Sequence, residues 1–472
     1  MSVRSDQGRP AASRPSAVVV GGGLAGITAA LRLAETDHRV TLVEARPRLG
    51  GLAFSFQRGD LTVDNGQHVF LRCCTAYRGL LDRLGADDLV DLQPRLDVPV
   101  LAVSGGRRTL GRLRRAGLPV PLHLAGSLAG YPHLGPADRL RVVRAALALK
   151  GLDLSDPALD AVSFGDWLRR HGQNERTIAA MWDLVGVATL NARADQVSLA
   201  LAAMVFKTGL LSDPGASDIG MAAVPLGAIH HDAALGELER AGVRVLLRAR
   251  AVELKPAAPH AVRLDGGELL TADTVVLAGA QDAAAALLPD DAIDRQQELT
   301  GFGTAPILNI HVIYDRKVLR RPFFAALDSP VQWVFDRTTH SGLATTHPGA
   351  QYLALSQSAV QDEIDLPVAE LRRRYLPELE RLLPAVPGAE VLDFFVTRER
   401  TATFDPAPGT AALRPAARTR VPGLLLAGSW TATGWPATME GAVRSGHAAA
   451  DAALAAAASR VPVDRGDGRW PR

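Results

Sequence analysis

Gly21, Gly23 and Gly26 stand at G-x-G-x-x-G spacing directly after the apolar, β-branched run Ala17-Val18-Val19-Val20. In that position the first glycine allows a tight strand-to-helix turn, the second lets backbone N–H groups approach a pyrophosphate, and the third lets the helix pack closely on the strand. Leu24 and Ala25 lie in the same turn, where the positive end of the helix faces bound phosphates. Glu44 follows at about the 20-residue separation of a carboxylate that accepts ribose hydroxyls. These residue types in this order point to a dinucleotide. The next loop, Ala45-Arg46-Pro47-Arg48-Leu49-Gly50-Gly51, adds two cations and a second glycine pair, which favours FAD over NAD.

The elements that must hold these groups are legible around them. Leu24, Ile27, Leu31 and Ala34 recur at helical spacing, and Arg39-Val40-Thr41-Leu42-Val43 reads as the second strand of a βαβ unit. The chain has 472 residues, 47% hydrophobic and 22% charged, with 52 Lys and Arg against 50 Asp and Glu. That composition describes a globular protein of about two or three domains and excludes a disordered, collagen-like or coiled-coil chain. A formal net charge of +2 argues against a nucleic-acid partner, which requires an excess of phosphate-neutralising cations. The two cysteines, Cys73 and Cys74, are adjacent, so no disulfide framework builds the fold, and they read as small apolar residues rather than redox partners. No metal site is expected. Residues 1–16 are polar, lack the apolar core of a signal peptide, and are expected to form a disordered tail. No run reaches the ~18 consecutive apolar residues of a membrane span. A cytoplasmic protein, peripheral at the inner face of the membrane, is expected.

Residues 105–150 carry nine Lys and Arg against the single acid Asp138, a net charge of +8. Between the basic ends lies the apolar stretch Leu118-Pro119-Val120-Pro121-Leu122-His123-Leu124. Such a segment suits docking on an anionic membrane surface; a solvated basic face beside a buried loop is the other reading. Ser163 to Leu211 is mainly helical and apolar, as a substrate-covering region would be, and Val243 to Ala278 reads as short strands that can return to the first sheet. Ile307 to Tyr314 and Tyr352 to Ser358 are strands of a second domain. The expected fold class is α/β (α+β). A discontinuous Rossmann-type FAD-binding domain spans 17–104, 220–285 and 395–472, and a second mixed sheet with a helical, membrane-facing substrate domain spans 105–219 and 286–394.

Near the C-terminus, Gly423-Leu424-Leu425-Leu426-Ala427-Gly428-Ser429-Trp430 reads as an apolar strand ending in glycine, followed by Trp435-Pro436-Ala437-Thr438-Met439-Glu440-Gly441-Ala442 and a helix. Together with Asp64-Asn65-Gly66-Gln67-His68-Val69, the Leu118 to Leu124 stretch and Pro330-Val331-Gln332-Trp333-Val334-Phe335-Asp336-Arg337, this motif resembles the hydroxysqualene dehydroxylase branch of the FAD-dependent amine oxidase and phytoene desaturase superfamily. The resemblance implies non-covalent FAD. Its contacts would be Gly21, Gly23, Leu24, Ala25, Gly26, Glu44, Ala45, Arg46, Arg48, Gly50, Gly51, Leu52, Gln67, His68, Val252, Gly428, Ser429, Trp435, Pro436, Ala437 and Thr438. Arg48 would bond phosphate or ribose oxygens, and the C-terminal motif would hold the ribityl chain and ring. Neither cysteine lies in that motif, so a cysteinyl flavin there is excluded. Ser429 stands where the superfamily usually has Asp, and Leu52 where Arg is common. Ser429 lacks the charge that strengthens a ribityl hydrogen bond.

The resemblance further implies removal of the hydroxyl of hydroxysqualene to give squalene, upstream of hopanoids, on a polyprenoid lipid drawn from the bilayer. Loss of water from an allylic alcohol leaves a delocalised cation that hydride from reduced flavin can quench, provided solvent is excluded. For the general acid the chain offers His68, Asp64 and, more remotely, Asp183. With no second G-x-G-x-x-G for a nicotinamide, electrons are expected from a separate donor or reductase. An oxidative polyprene desaturase, an amine or protoporphyrinogen oxidase, and a non-catalytic lipid carrier remain alternatives.

Overall fold

The computed structural model describes residues 14–458 apart from Thr300 and Phe302. Most of the expected tail, residues 1–13, lies outside the described residues. The tail ends earlier than expected, because Ser16 already opens the first strand, its N–H and hydroxyl donating to Asp273 at 2.8 and 2.7 Å.

That strand, β1 (Ser16–Val20), leads into helix α1 (Leu24–Ala34) and strand β2 (Arg39–Glu44). With Arg244–Leu247, Thr274–Leu277 and Leu424–Leu426 they build a five-stranded parallel sheet, β1 and β2 lying side by side at its centre. Its strands read as unbroken apolar runs because both faces are covered. Val19, Leu42, Val276 and Leu425 face α1 and the C-terminal helix Met439–Ala458. Their neighbours Val18, Val43, Val275 and Leu424 face the other way, against Val262, Leu270 and Ala284. The stretch between two of the sheet's strands forms a separate antiparallel sheet of Ala251–Lys255, His260–Leu264 and Leu269–Ala272.

A seven-stranded mixed sheet makes the second layer system, with Val391–Phe404, Thr304–Tyr314, Gln351–Ser358, Trp333–Asp336, Phe323–Leu327, Asp97–Ser104 and Arg107–Arg114 in spatial order. The boundary expected at residue 104 therefore falls inside a hairpin whose two strands both belong to this sheet, and Val391–Phe404 belongs there as well rather than to the nucleotide sheet. Residues 163–211 are helical as expected, in short pieces that include π-helical turns at Ile178–Trp182 and Lys207–Leu211. Among the described residues no helix is long and apolar enough to cross a membrane.

Candidate flavin and substrate site

Each glycine of the first turn meets a different constraint. Gly21 has φ +114°, and a Cβ there would lie 2.8 Å from the Ala278 carbonyl; a Cβ on Gly26 would run into the Gly21 carbonyl. Gly23 has only the Gly51 Cα before it, at 3.7 Å, and a Cβ on Gly51 would meet the Gly23 Cα at 3.0 Å. The two glycine loops thus face each other with bare backbone, tied by the Gly50 N–H to the Gly22 carbonyl at 2.9 Å. Side chains at either position would fill this cradle, so it suits a ligand that backbone must approach closely.

Glu44 is buried at the end of β2, its Oε2 accepting from Gly22 N–H at 2.6 Å and its Oε1 from Arg46 N–H at 2.7 Å. Both oxygens keep a lone pair for hydroxyl donors. Ala45 and Arg46 are exposed beside it. The N–H groups of Arg248 and Ala249 donate to the carbonyls of Arg46 and Glu44, each at 3.0 Å, which brings the strand bearing the exposed Val252 alongside. Arg48 donates to the Gly51 carbonyl at 3.1 Å and lies over the Phe54 ring.

Two adjacent histidines that sequence reasoning missed clamp this second loop. His231 Nδ1 accepts from Leu49 N–H at 3.2 Å, and His230 Nδ1 donates to the Ala53 carbonyl at 3.0 Å while its Nε2 faces the Tyr77 hydroxyl at 2.9 Å. Burial pushes the His230 pKa down to about 4, so the ring is neutral and Tyr77 is the donor. Both histidines sit in the π-helical turn Ala228–Ala233, a backbone irregularity with no sequence motif.

At the C-terminal motif Gly428 has φ +140°, and a Cβ there would collide with the Trp430 indole. Its N–H donates to Ser445 Oγ at 2.8 Å, and Trp430 Nε1 donates to the Gly279 carbonyl at 3.0 Å, which seats the motif beside the first glycine turn. Arg414, also missed, is buried and donates to the carbonyls of Ser429, Trp430 and Thr431; burial lowers its pKa to about 10. Pro436 is buried and Ala437 half-buried. Thr438 Oγ accepts from Gly441 N–H at 3.1 Å and caps the final helix. Trp435 lies under the Arg444 guanidinium, 4.7 Å from its ring centre.

The Asp64 to His68 segment joins the two halves. Asn65 Nδ2 donates to the carbonyl of the exposed Leu52 at 2.8 Å and to Glu399 at 3.0 Å, and its Oδ1 accepts from Phe54 N–H at 3.1 Å. Its own carbonyl accepts from Thr397 Oγ at 2.7 Å, which stands 3.1 Å from His311 Nε2; His311 Nδ1 in turn lies 2.6 Å from the Tyr352 hydroxyl. Since Thr397 donates, the donors run from Tyr352 through His311 to Asn65. The run ends on a carbonyl, so it positions backbone and carries no proton onward.

The expected acids are placed for other work. Asp64 Oδ2 accepts from Arg337 at 2.8 Å, and its Oδ1 from Ser55 Oγ at 2.6 Å and Leu226 N–H at 2.9 Å, which commits both oxygens as acceptors. His68 Nδ1 lies 3.2 Å from the Gly66 carbonyl, and burial lowers its pKa below the ordinary imidazole value, so the ring is neutral. Asp183 accepts from Ala194 N–H in the helical region and reaches neither cavity described next.

Two cavities flank the Asp64–Arg337 pair. One, small, is lined by the polar residues Asp64, Gln67, His68 and Arg337 together with the apolar Val69, Met221, Ala222, Leu226 and Phe335. The other, a narrower crevice, adds Thr62, His340, Ser341 and Tyr352 to Asp64, Gln67 and Arg337.

A family model described as flavin containing amine oxidoreductase matches residues 24–454. The chain belongs to that family. Along 445 residues it is 29% identical to hydroxysqualene dehydroxylase of Sinorhizobium fredii, covering 92% of this chain and 97% of that one. It is 26% identical over 449 residues to 15-cis-phytoene desaturase of Narcissus pseudonarcissus, covering 91% and 77% respectively. Among solved structures, a putrescine oxidase triple mutant redesigned at its cofactor site superposes with a TM-score of 0.72 at 20% identity over 93% of this chain and 99% of that one. As a member of that family the chain is a flavin-dependent oxidoreductase. The residues present fit a flavin nucleotide: the bare backbone of Gly23 and Gly51 would leave room for phosphates, the free lone pairs of Glu44 would take hydroxyls, and the Gly428 turn with the Thr438-capped helix would hold the remainder.

Proposed function

We propose that this chain binds FAD non-covalently and converts hydroxysqualene to squalene, a step on the way to hopanoids. The observation that carries the reading is the first cavity, whose lining combines polar groups, Gln67 and His68 among them, with apolar side chains. A carbinol carbon in a hydrocarbon chain presents both surfaces within a few bonds. Bound, fully reduced flavin would supply a hydride to the carbon and a proton, so that the hydroxyl departs as water and the flavin is left oxidised. The chain's contribution is to bring the alcohol carbon to one place, to hold the Asn65 to His68 backbone rigid through Tyr352, His311 and Thr397, and to keep water from returning to the carbon. Relatives named hydroxysqualene dehydroxylase match nearly the whole chain, which supports the reading.

The substrate lipid would come from a membrane surface. Leu118, Leu122, Leu140, Val143, Leu147 and Leu154 are all exposed, and Leu140, Val143 and Leu147 share one face of helix Pro136–Lys150, opposite the buried Val142, Ala145 and Leu149. Arg144 and Lys150 lie on the same exposed helix. We place docking on an anionic, inner-face bilayer there, with electrons delivered by a separate reductase.

The test is anaerobic turnover of the FAD-loaded protein, reduced with deuterium at the flavin N5, with hydroxysqualene in detergent. Deuterated squalene is the expected product by mass spectrometry; unchanged alcohol refutes the reading. The match to phytoene desaturase favours a second one, oxidation of a polyprene to a conjugated product. A new visible absorbance from a polyprene with oxidised enzyme would select it.

A further inference from the structure

The Asp64–Arg337 pair is buried, with side chains 6% and 10% exposed, and it forms the wall shared by both cavities. Arg337 spends one N–H on Asp64 and one on the Ala222 carbonyl at 3.2 Å, while a guanidinium has five to give. Beside it, the Gln67 Nε2 is buried without a hydrogen-bond partner. Buried donors are normally satisfied, so an unpartnered one on a cavity wall marks a place where a ligand acceptor belongs. Met221, Leu226 and Phe335 line the same cavity. The complement of such a wall is an oxygen acceptor attached to hydrocarbon. Asp64 already balances the charge of Arg337, so a neutral oxygen suits the site better than a carboxylate, and an ammonium group would set donors against donors.

We propose that Gln67 and Arg337 form a hydroxyl-recognition subsite, both donating to the oxygen of a polyprenyl alcohol while Met221, Leu226 and Phe335 take the adjoining carbons. The inference rests on the dehydroxylation reading and deepens it, since it names what selects the alcohol over the hydrocarbon that replaces it. A product lacking the hydroxyl leaves the same donors unpaired, so the subsite also favours product release.

The test is equilibrium binding of radiolabelled hydroxysqualene and squalene to the FAD-loaded, oxidised protein in detergent, where no hydride is available and nothing turns over. The wild type is expected to hold the alcohol about tenfold more tightly than squalene, the worth of one or two buried hydrogen bonds. Gln67→Leu, which leaves the ion pair intact, should abolish most of that preference with squalene affinity unchanged, and Arg337→Lys should weaken it while keeping the charge. Flavin content and Tm of each variant establish that it is folded. Equal binding of alcohol and squalene by the wild type, a preference that survives Gln67→Leu, or a parallel loss of both ligands would each overturn the subsite. The turnover assay separates the two claims. Squalene formed without an alcohol preference removes the subsite alone, whereas an alcohol preference without squalene keeps the subsite and removes the reaction.

Discussion

Ser429 stands in the turn after Gly428, on the expected ribityl side of the motif. Its loop is set by Arg414, which donates to the backbone carbonyls of Ser429, Trp430 and Thr431, so the position can change without moving the loop. Ser429→Asp is expected to tighten FAD by about tenfold, because a charged acceptor roughly doubles the strength of a hydrogen bond; titration of flavin fluorescence into the apoprotein reads this, and unchanged affinity would contradict it. Histidines supply a second prediction. Burial lowers the pKa of His230 to about 4 and of His311 to about 3, against an ordinary value near 6.5 in the unfolded chain. The unfolded state then binds more protons than the folded one as pH falls below about 6.5, so stability present at neutral pH is lost on acidification, by up to ~1.4 kcal/mol per pH unit for each ring. Urea midpoints should fall between pH 7 and pH 5, and His311→Gln should be less stable at pH 7 yet show a shallower slope. The glycines and Glu44 were readable because spacing encodes their role. The clamp by His230 and His231 was not, since its partners Ala53, Tyr77 and Leu49 are far away in sequence.

Helix Met439–Ala458 does more than close the nucleotide sheet. Gly446 sits where a Cβ would be pressed against the Ala25 carbonyl and the Thr28 side chain of α1, so the two helices touch backbone to backbone. Glu440, buried in the first turn of the same helix, accepts from the N–H groups of Ala76 and Tyr77 at 3.1 and 2.7 Å and pairs with Arg444 at 2.7 Å. It therefore joins the N-terminus of its own helix to that of helix Thr75–Arg83, a favourable place for a carboxylate. Gly446→Ala should cost about 1–3 kcal/mol by overpacking and reduce the flavin retained on purification; an unchanged Tm would show that the helices can slide apart at no cost. The βαβ unit, the helical stretch 163–211 and the strand at 424–426 were all visible as periodicity. The π-helical turns were not, because the choice of an i→i+5 over an i→i+4 hydrogen bond is made by packing and not by residue type.

For the whole molecule, the basic segment shows why a charge count and a charged surface differ. Of the nine cations in residues 105–150, Arg112 pairs with Asp97, Arg115 with Asp218 and Arg141 with Asp138, while Arg108 and Arg139 donate to carbonyls. What the fold leaves outward is a smaller charge beside a row of exposed leucines. Pelleting with anionic vesicles is accordingly expected to weaken only partly with salt, and Leu140→Ser with Leu147→Ser should reduce it further; equal binding to neutral vesicles, or none to either, would refute docking. Local order was open to sequence reasoning wherever consecutive residues share one job: the glycine turn, the carboxylate after β2, the strand ending in Gly428, and the likeness of the motifs to the amine oxidoreductase family. Sheet membership of residues 97–114 and 391–404, the pairing of Asp64 with Arg337, and the unpartnered amide of Gln67 came from the tertiary fold. Those depend on contacts between segments hundreds of residues apart, which burial and hydrogen-bond satisfaction select and which no local pattern along the chain records.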